Sequence, residues 1–183
     1  MISKRLSVLT FAAIQSSAIT LTNLVFDLAA SPNCADYLSA MRDEVHAELA
    51  AEHGSWTKAS LARMITLDSM LRESMRLWGF VSRGVLKLVV KKEGIRLPSG
   101  LHLPYGTKVG VHAHPIHHDE EIYPGSMSFD PLRWCRGRNG NEEGSEHLGS
   151  TEKRKGTSLV TTSPTFMAFS HGRHAWYVLS HKS

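Results

Sequence analysis

A mainly helical α+β fold is what this sequence predicts, and three observations carry it. Residues 6–30 are apolar almost throughout with no strand alternation. Residues 67–78 place apolar side chains at helical spacing. After Gly79 the chain switches to short apolar runs divided by Gly- and Pro-bearing turns. With 183 residues, 42% of them apolar and 21% charged, the chain is sized for one core.

From Leu6 to Ala30 the apolar residues surround the helical wheel, which predicts a helix enclosed by protein. Ala12, Ser16 and Thr20 recur in steps of four and line one face, a shallow groove where a bulky group can approach the backbone. Ser31 and Pro32 signal a second helix, with Leu38, Met41, Val45 and Leu49 at helical spacing and Gly54 at its end. Thr57 caps a short third one. A fourth spans 67–78, with Leu67, Leu71 and Trp78 on one side and Glu73 and Arg76 nearby. Residues 81–113 read as short hairpins: Val85 to Val90, Ile95 to Leu97, Leu101 to Leu103 and Val109 to Val111 are broken by Glu93-Gly94, Pro98-Ser99-Gly100 and Pro104-Tyr105-Gly106. Residues 136–163, charged and glycine-rich without periodicity over most of their length, predict a solvated polar loop.

The formal charge of +4 is spread out, with clusters only at Lys91-Lys92 and Lys153-Arg154-Lys155, and no basic stripe is interleaved with aromatics. Nucleic acid is therefore not an expected partner. Two cysteines, Cys34 and Cys135, argue against a disulfide scaffold. Lys4, Arg5, Leu6 to Ile14 and Ser16-Ser17 imitate a secretory signal, so a small secreted non-enzyme protein cleaved near Ala18 stands as an alternative. Against it, apolar character runs on to Ala30. Gln15, Asn23 and Asp27 inside the same run also argue against a membrane span.

Three motifs carry chemistry. Glu73-Ser-Met-Arg76 puts a carboxylate and a guanidinium on one helix face. Phe129-Asp-Pro-Leu-Arg133-Trp134, residues 129–134, supplies a second guanidinium after a turn, and one buried carboxylate held by two such forks locks a loop onto a helix. Residues 169–176, Phe169-Ser-His-Gly172-Arg-His174-Ala-Trp176, form a glycine-bearing loop rich in donors. His112, His114, His117 and His118 with Asp119 form a tempting metal cluster. His112 and His114 share a strand face while the adjacent pair diverges, so these read as loop and surface residues.

Taken in order, these elements resemble the cytochrome P-450 family across nearly the whole chain. Residues 6–30 are similar to the helix crossing the distal haem (heme) face, "ESMR" to the ExxR motif, "SGLHLPYGTKV" to the strand and turn, "IHHDEEIYP" to the short helix after it, "FDPLRW" to the PERF-like segment and "FSHGRHAW" to the haem loop. The wording is most similar to fungal enzymes oxidising terpenoid and alkaloid skeletons. The resemblance implies an incomplete P-450 fold in which Glu73, Arg76 and Arg133 form the structural ion cluster of the proximal side. It implies haem contacts from Arg83, Phe169, Gly172 and His174. It also implies a distal amide and hydroxyl pair, Gln15 and Ser16, that helps deliver protons to oxygen. Serine for the usual threonine keeps the hydroxyl; Gln15 in place of an acid counts against strong proton donation. A haem monooxygenase, a small-molecule substrate, electrons from NADPH-cytochrome reductase and an endoplasmic reticulum location are the family's implications.

Trp176 stands where the family has its axial cysteine. The thiolate of this family favours O–O cleavage, and indole has no lone pair free for iron. Cys135, beside the PERF-like segment, does not replace it, and metal ligation by a protein residue is not expected. Trp-Tyr-Val can be encoded as TG followed by GTATGT, a common fungal intron start, so the chain is expected to read into a retained intron, with the cysteine codon split at TG. An inactive fragment is thus the alternative to the enzyme, and Met1, just before the distal helix, fits an internal start. On this reading the isolated chain leaves apolar helix sides uncovered. Poor solubility in isolation is expected, and a soluble, cooperatively melting monomer in size-exclusion chromatography and thermal melts would contradict the reading.

Overall fold

The structure, a computed structural model, describes residues 2–10, 14–79, 86–136 and 159–171. Helices dominate them: α1 (Ile2–Thr10), α2 (Ser16–Ala30), α3 (Cys34–Ala51), α4 (Lys58–Arg63), α5 (Ile65–Trp78), α6 (Ala113–His117) and α7 (Arg133–Arg136). Between α5 and α6 lie β1 (Lys87–Leu88), β2 (Ile95–Arg96), β3 (His102–Leu103) and β4 (Lys108–Val109). They pair as two antiparallel two-stranded sheets, β1 with β4 (Lys87 opposite Val109) and β2 with β3 (Ile95 opposite Leu103). The predicted class, mainly α with a small antiparallel β region, is the observed one, with shorter strands than the apolar runs imply.

Local signals placed several boundaries. Thr57 caps α4 through a reciprocal pair: its hydroxyl accepts from the Ser60 amide and the Ser60 hydroxyl accepts from the Thr57 amide, both at 3.0 Å. Gly54, at φ 81°, sends its amide back to the Leu49 carbonyl at 2.8 Å and stops α3 in the left-handed conformation that glycine adopts without strain. Gly94 is fixed for a second reason, since a Cβ there would meet the Leu103 carbonyl oxygen at 2.4 Å. The Ser31-Pro32 signal is displaced by two residues: Asn33 takes the N-cap position and α3 begins at Cys34.

Helix α5 is the hub. It packs on α2, α3, α6 and α7 and divides the core in two. Met70 joins Leu24 and Leu28 of α2, with Cys34, Tyr37, Leu38 and Met41 of α3 packed alongside. Met75 joins Tyr123, Trp134, Phe166 and Ala168 on the other side. Burying leucines such as Leu24 and Leu28 contributes about 1.5–3 kcal/mol each.

The helix over 6–30, read as enclosed in the complete fold and uncovered on its apolar sides in this chain, is covered along part of its surface. Among the described residues α2 buries one stripe only, Leu24 and Leu28, while Leu21, Val25 and Phe26 are 57%, 61% and 67% exposed. No described element covers those other sides. Trp78, grouped in the sequence with Leu67 and Leu71 on one side of α5, is 56% exposed. The predicted polar loop has a buried tail, since Ser163 lies in the interior and the Leu159 amide donates to Asp68 at 2.7 Å. Residues 137–158 of that loop lie outside the described residues.

One cap was invisible locally. Met64 gives α5 no side-chain cap, and Glu44 supplies it from α3: its two carboxylate oxygens accept from the Thr66 and Leu67 amides at 2.8 and 3.0 Å. Glu44→Ala is expected to lower stability by about 1 kcal/mol. Urea denaturation followed by circular dichroism will show this as an earlier midpoint with an unchanged slope.

Candidate functional site: a buried ion cluster

The site begins with a polar stripe. Ser69, Arg72, Glu73 and Arg76 follow the i, i+3, i+4, i+7 rule that normally gathers apolar side chains on one face, and all four are buried. Such a face is stable only where every polar atom finds a partner.

Glu73 is fully buried and surrounded by donors. Arg76 grips it with two parallel bonds, Nη2 to Oε1 at 2.7 Å and Nε to Oε2 at 3.0 Å. Arg133 adds Nε to Oε1 at 3.0 Å, Trp134 adds its indole N–H to Oε2 at 3.2 Å, and the Asp130 amide donates to Oε1 at 3.3 Å. Arg76 spends its other N–H groups on main-chain carbonyls: Nη1 on His117 and, at 2.7 Å, on Ser126, and Nη2 on Ser128 at 3.3 Å. Arg133 reaches the Pro124 carbonyl at 2.8 Å. The carboxylate thus ties α5 to α7, and the two guanidinium groups carry the grip into the turns between α6 and α7.

Neighbours complete the stripe. The Arg72 guanidinium lies 4.3 Å from the Trp134 ring centroid and 3.8 Å from that of Phe166, and donates to the Thr161 carbonyl at 2.8 Å. Ser69 donates to the Pro131 carbonyl at 2.8 Å and accepts from the Trp134 amide at 3.2 Å. Tyr123 meets Trp134 edge to face at 5.8 Å, and burial pushes its phenol up to about 12 while the hydroxyl donates to the Thr165 carbonyl. Where α2 crosses the end of α5, a cleft of about 360 Å³ is lined by Asn23, Leu77, Trp78, His114 and His117 with Arg76 and Gly79. There the Trp78 indole donates to Asp27 at 2.8 Å, and burial pushes the Asp27 carboxyl above its ordinary range.

The histidine reading needs correcting. His117 is no surface residue: 3% exposed, it places Nε2 at 2.8 Å from the Met167 amide and Nδ1 at 3.2 Å from the Arg76 carbonyl. His114 lies within α6, not on a strand face beside His112, and stacks on His118 at 4.0 Å. Among the described residues no three His, Cys, Asp or Glu side chains are grouped to hold a metal ion.

The comparisons fit this architecture. The cytochrome P-450 family model matches residues 1–175. The chain belongs to the cytochrome P-450 family. It is 35% identical to the cytochrome P-450 monooxygenase gloP of Glarea lozoyensis over 96% of this chain and 33% of that protein. It is 33% identical to the cytochrome P-450 monooxygenase pbrC of Penicillium brasilianum over 94% of this chain and 31% of that protein. To the cytochrome P-450 monooxygenase 151 of Postia placenta it is 33% identical over 90% of this chain and 30% of that protein. The chain spans about a third of the length of the curated relatives it matches.

The structure brings together Glu73, Arg76 and Arg133 of the residues singled out in the sequence. Phe169 is half-buried and packs against the cluster that Met75, Tyr123, Trp134, Phe166 and Ala168 form. Gln15 is exposed just before α2, and Ser16, its first residue, is half-buried. Arg83, Gly172, His174 and Trp176 lie outside the described residues, as does Ala12 of the small-residue line. Haem is the cofactor this P-450 family implies, and the donor set does not fit thiolate ligation of it. The family resemblance puts Trp176 at the cysteine's place, Cys34 packs against the cluster of Leu24, Leu28 and Met70, and the Cys135 thiol points to the Ile65 carbonyl at 3.6 Å. His117 has both ring nitrogens engaged.

Arg72, Trp134, Ser69 and His117 were not singled out for these contacts. The signal for the first and third was the polar stripe itself; nothing local announces the other two.

Removing one partner from a buried ion cluster costs about 3–5 kcal/mol, because the charge left behind keeps its desolvation penalty. Glu73→Gln is expected to lose that much and Arg133→Lys less, since lysine keeps the charge without the planar fork. Thermal melts by circular dichroism check the order; an unchanged midpoint for Glu73→Gln contradicts it.

Proposed function

We propose that the full-length protein from which this sequence derives is a haem-dependent monooxygenase, inserting one atom of O₂ into a small organic substrate, terpenoid- or alkaloid-like. NADPH-cytochrome reductase supplies its electrons and the endoplasmic reticulum membrane is its site. Family membership and the monooxygenase names of the fungal relatives support this reading. No helix among the described residues is long and apolar enough to cross a membrane.

The same proposal holds that this chain is itself catalytically inactive. Trp176 carries that conclusion, since indole offers iron neither a thiolate nor a free lone pair. The remaining assignments belong to the full-length fold: Glu73, Arg76 and Arg133 as a folding cluster, Arg83, Phe169, Gly172 and His174 as cofactor contacts, and Gln15 with Ser16 as distal polar groups. The units of that fold are 6–30, 67–78, 81–113, 129–134, 136–163 and 169–176.

The test is spectroscopic. The chain is expressed with haem, reduced and exposed to carbon monoxide. No Soret band of the red-shifted thiolate type is expected, and its appearance would overturn the inactive reading. Trp176→Cys in the same chain asks whether residue 176 alone is the obstacle, and gain of that band would support the assigned position.

A further inference from the structure

Arg76 and His117 are joined twice. Arg76 Nη1 donates to the His117 carbonyl, and His117 Nδ1 lies 3.2 Å from the Arg76 carbonyl. On the far side of the ring, Nε2 lies 2.8 Å from the Met167 amide nitrogen. A backbone N–H only donates and a carbonyl only accepts. Nε2 is therefore the bare acceptor, and the single ring proton sits on Nδ1. These contacts fix a neutral imidazole in one tautomer, and the ring stacks on Phe166 at 5.5 Å.

Every charged neighbour of that ring opposes a second proton. From α5 come the guanidinium groups of Arg76 and Arg72, and from the residue that ends α6 comes His118, on which His114 stacks. Segment 159–171 contributes uncharged Phe166 and Met167. The turn after α6 contributes Tyr123, whose ring lies 5.1 Å from the Arg76 guanidinium and whose hydroxyl is held by Thr165. The Glu73 carboxylate is saturated by Arg76, Arg133 and Trp134. On the α2 side the cleft carries uncharged Asn23 and gives solvent a path to the ring, which forms part of its lining.

We propose that His117 is a proton-sensitive latch: as a neutral imidazole it pins residues 163–171 to α5 and α6, and on taking one proton from solvent at Nε2 it releases them while the helices stay folded. One N–H bond forms at Nε2 as hydronium gives up its proton and becomes water, with no change of oxidation state; the hydrogen bond from Met167 is replaced by two N–H groups facing each other. The surroundings lower the ring from its ordinary 6.5 to about 4, burial first, with Arg76, His118 and Arg72 adding to it and the bond to the Arg76 carbonyl opposing it. The sign follows. Above 6.5 the ring is neutral whether the latch is open or closed, so the latch contributes fully. As pH falls from 6.5 towards 4 the open form takes up the proton first, and the open-to-closed ratio rises about tenfold per pH unit.

Amide hydrogen exchange on the full 183-residue chain tests this. After correction for intrinsic rates, protection at Met167 relative to the α5 amides is expected to fall about tenfold per pH unit below 6.5. His117→Gln retains an acceptor oxygen near Nε2 but does not titrate, and a flat ratio is expected. A flat ratio in the unsubstituted chain overturns the latch. So does an equal slope in the glutamine variant, or loss of α5 protection at the same pH. Should the variant not fold, ¹⁵N shifts of the His117 ring decide: a neutral Nδ1–H ring that is protonated together with loss of Met167 protection supports the latch, and a protonated ring beside a protected Met167 amide overturns it.

Discussion

Everything in the structure leans on one carboxylate. Glu73 sits at zero exposure between the forks of two arginines, with an indole N–H and an amide added. An isolated charge there would be untenable, and the same charge with five donors is a rigid node. The node dictates what surrounds it. Residues 126, 128 and 117 must turn their carbonyls towards Arg76, Trp134 must bring its N–H inward, and α7 must follow Pro131 closely enough for Arg133 to reach back. The turns between α6 and α7, poor in regular structure, are ordered by donors from α5 and by bonds of their own, with the Glu120 carboxylate accepting from the Gly125 and Ser126 amides and the Gly125 carbonyl from the Ser128 amide.

How much of this the sequence disclosed depends on the range of the interaction. Thr57, Gly54 and Gly94 act within a few residues or across one tight turn, and their roles can be read from residue type and spacing. Glu44 capping α5, Asp68 holding the Leu159 amide and His117 holding the Met167 amide span 22 to 91 residues, and nothing in their flanking sequence marks them. The side of α5 that faces inward belongs to the same class. Hydrophobic spacing nominated Leu67, Leu71 and Trp78, yet a polar stripe is among the most deeply buried, because Glu73 and Arg76 pair within it and partners distant in sequence answer many of its other donors and acceptors. A polar face is interior only if the rest of the chain supplies its bonds, and propensity arguments contain no such information. Family resemblance supplied what spacing could not: it drew Glu73, Arg76 and Arg133 into one cluster before any distance was known.

Scaffold and chemistry are separable here. The bonds described for Glu73, Arg76 and Arg133 are made within the polypeptide, to side chains and main-chain carbonyls. Residue 176, which the proposed function places in the axial position, is not among these partners. Family membership over residues 1–175 therefore speaks for the scaffold, and the chemistry is a separate matter of individual positions.

The two apolar clusters of the core would be weakly coupled without the polar stripe between them. Met70 gathers α2 and α3; Met75 gathers Tyr123, Trp134 and Phe166. Arg72 bridges to the second through its stacking on Trp134 and Phe166, and His117 carries the same connection from the Arg76 main chain to Met167. Segment 163–171 is thus held to α5 by aromatic packing, by a cation over two rings and by one imidazole. Packing and the cation do not change with pH in the range where a histidine titrates. The imidazole of His117 does, and it stands at the point where the ion node hands its geometry to this segment, while the segment's own His171 meets the Thr162 hydroxyl at 3.2 Å rather than α5.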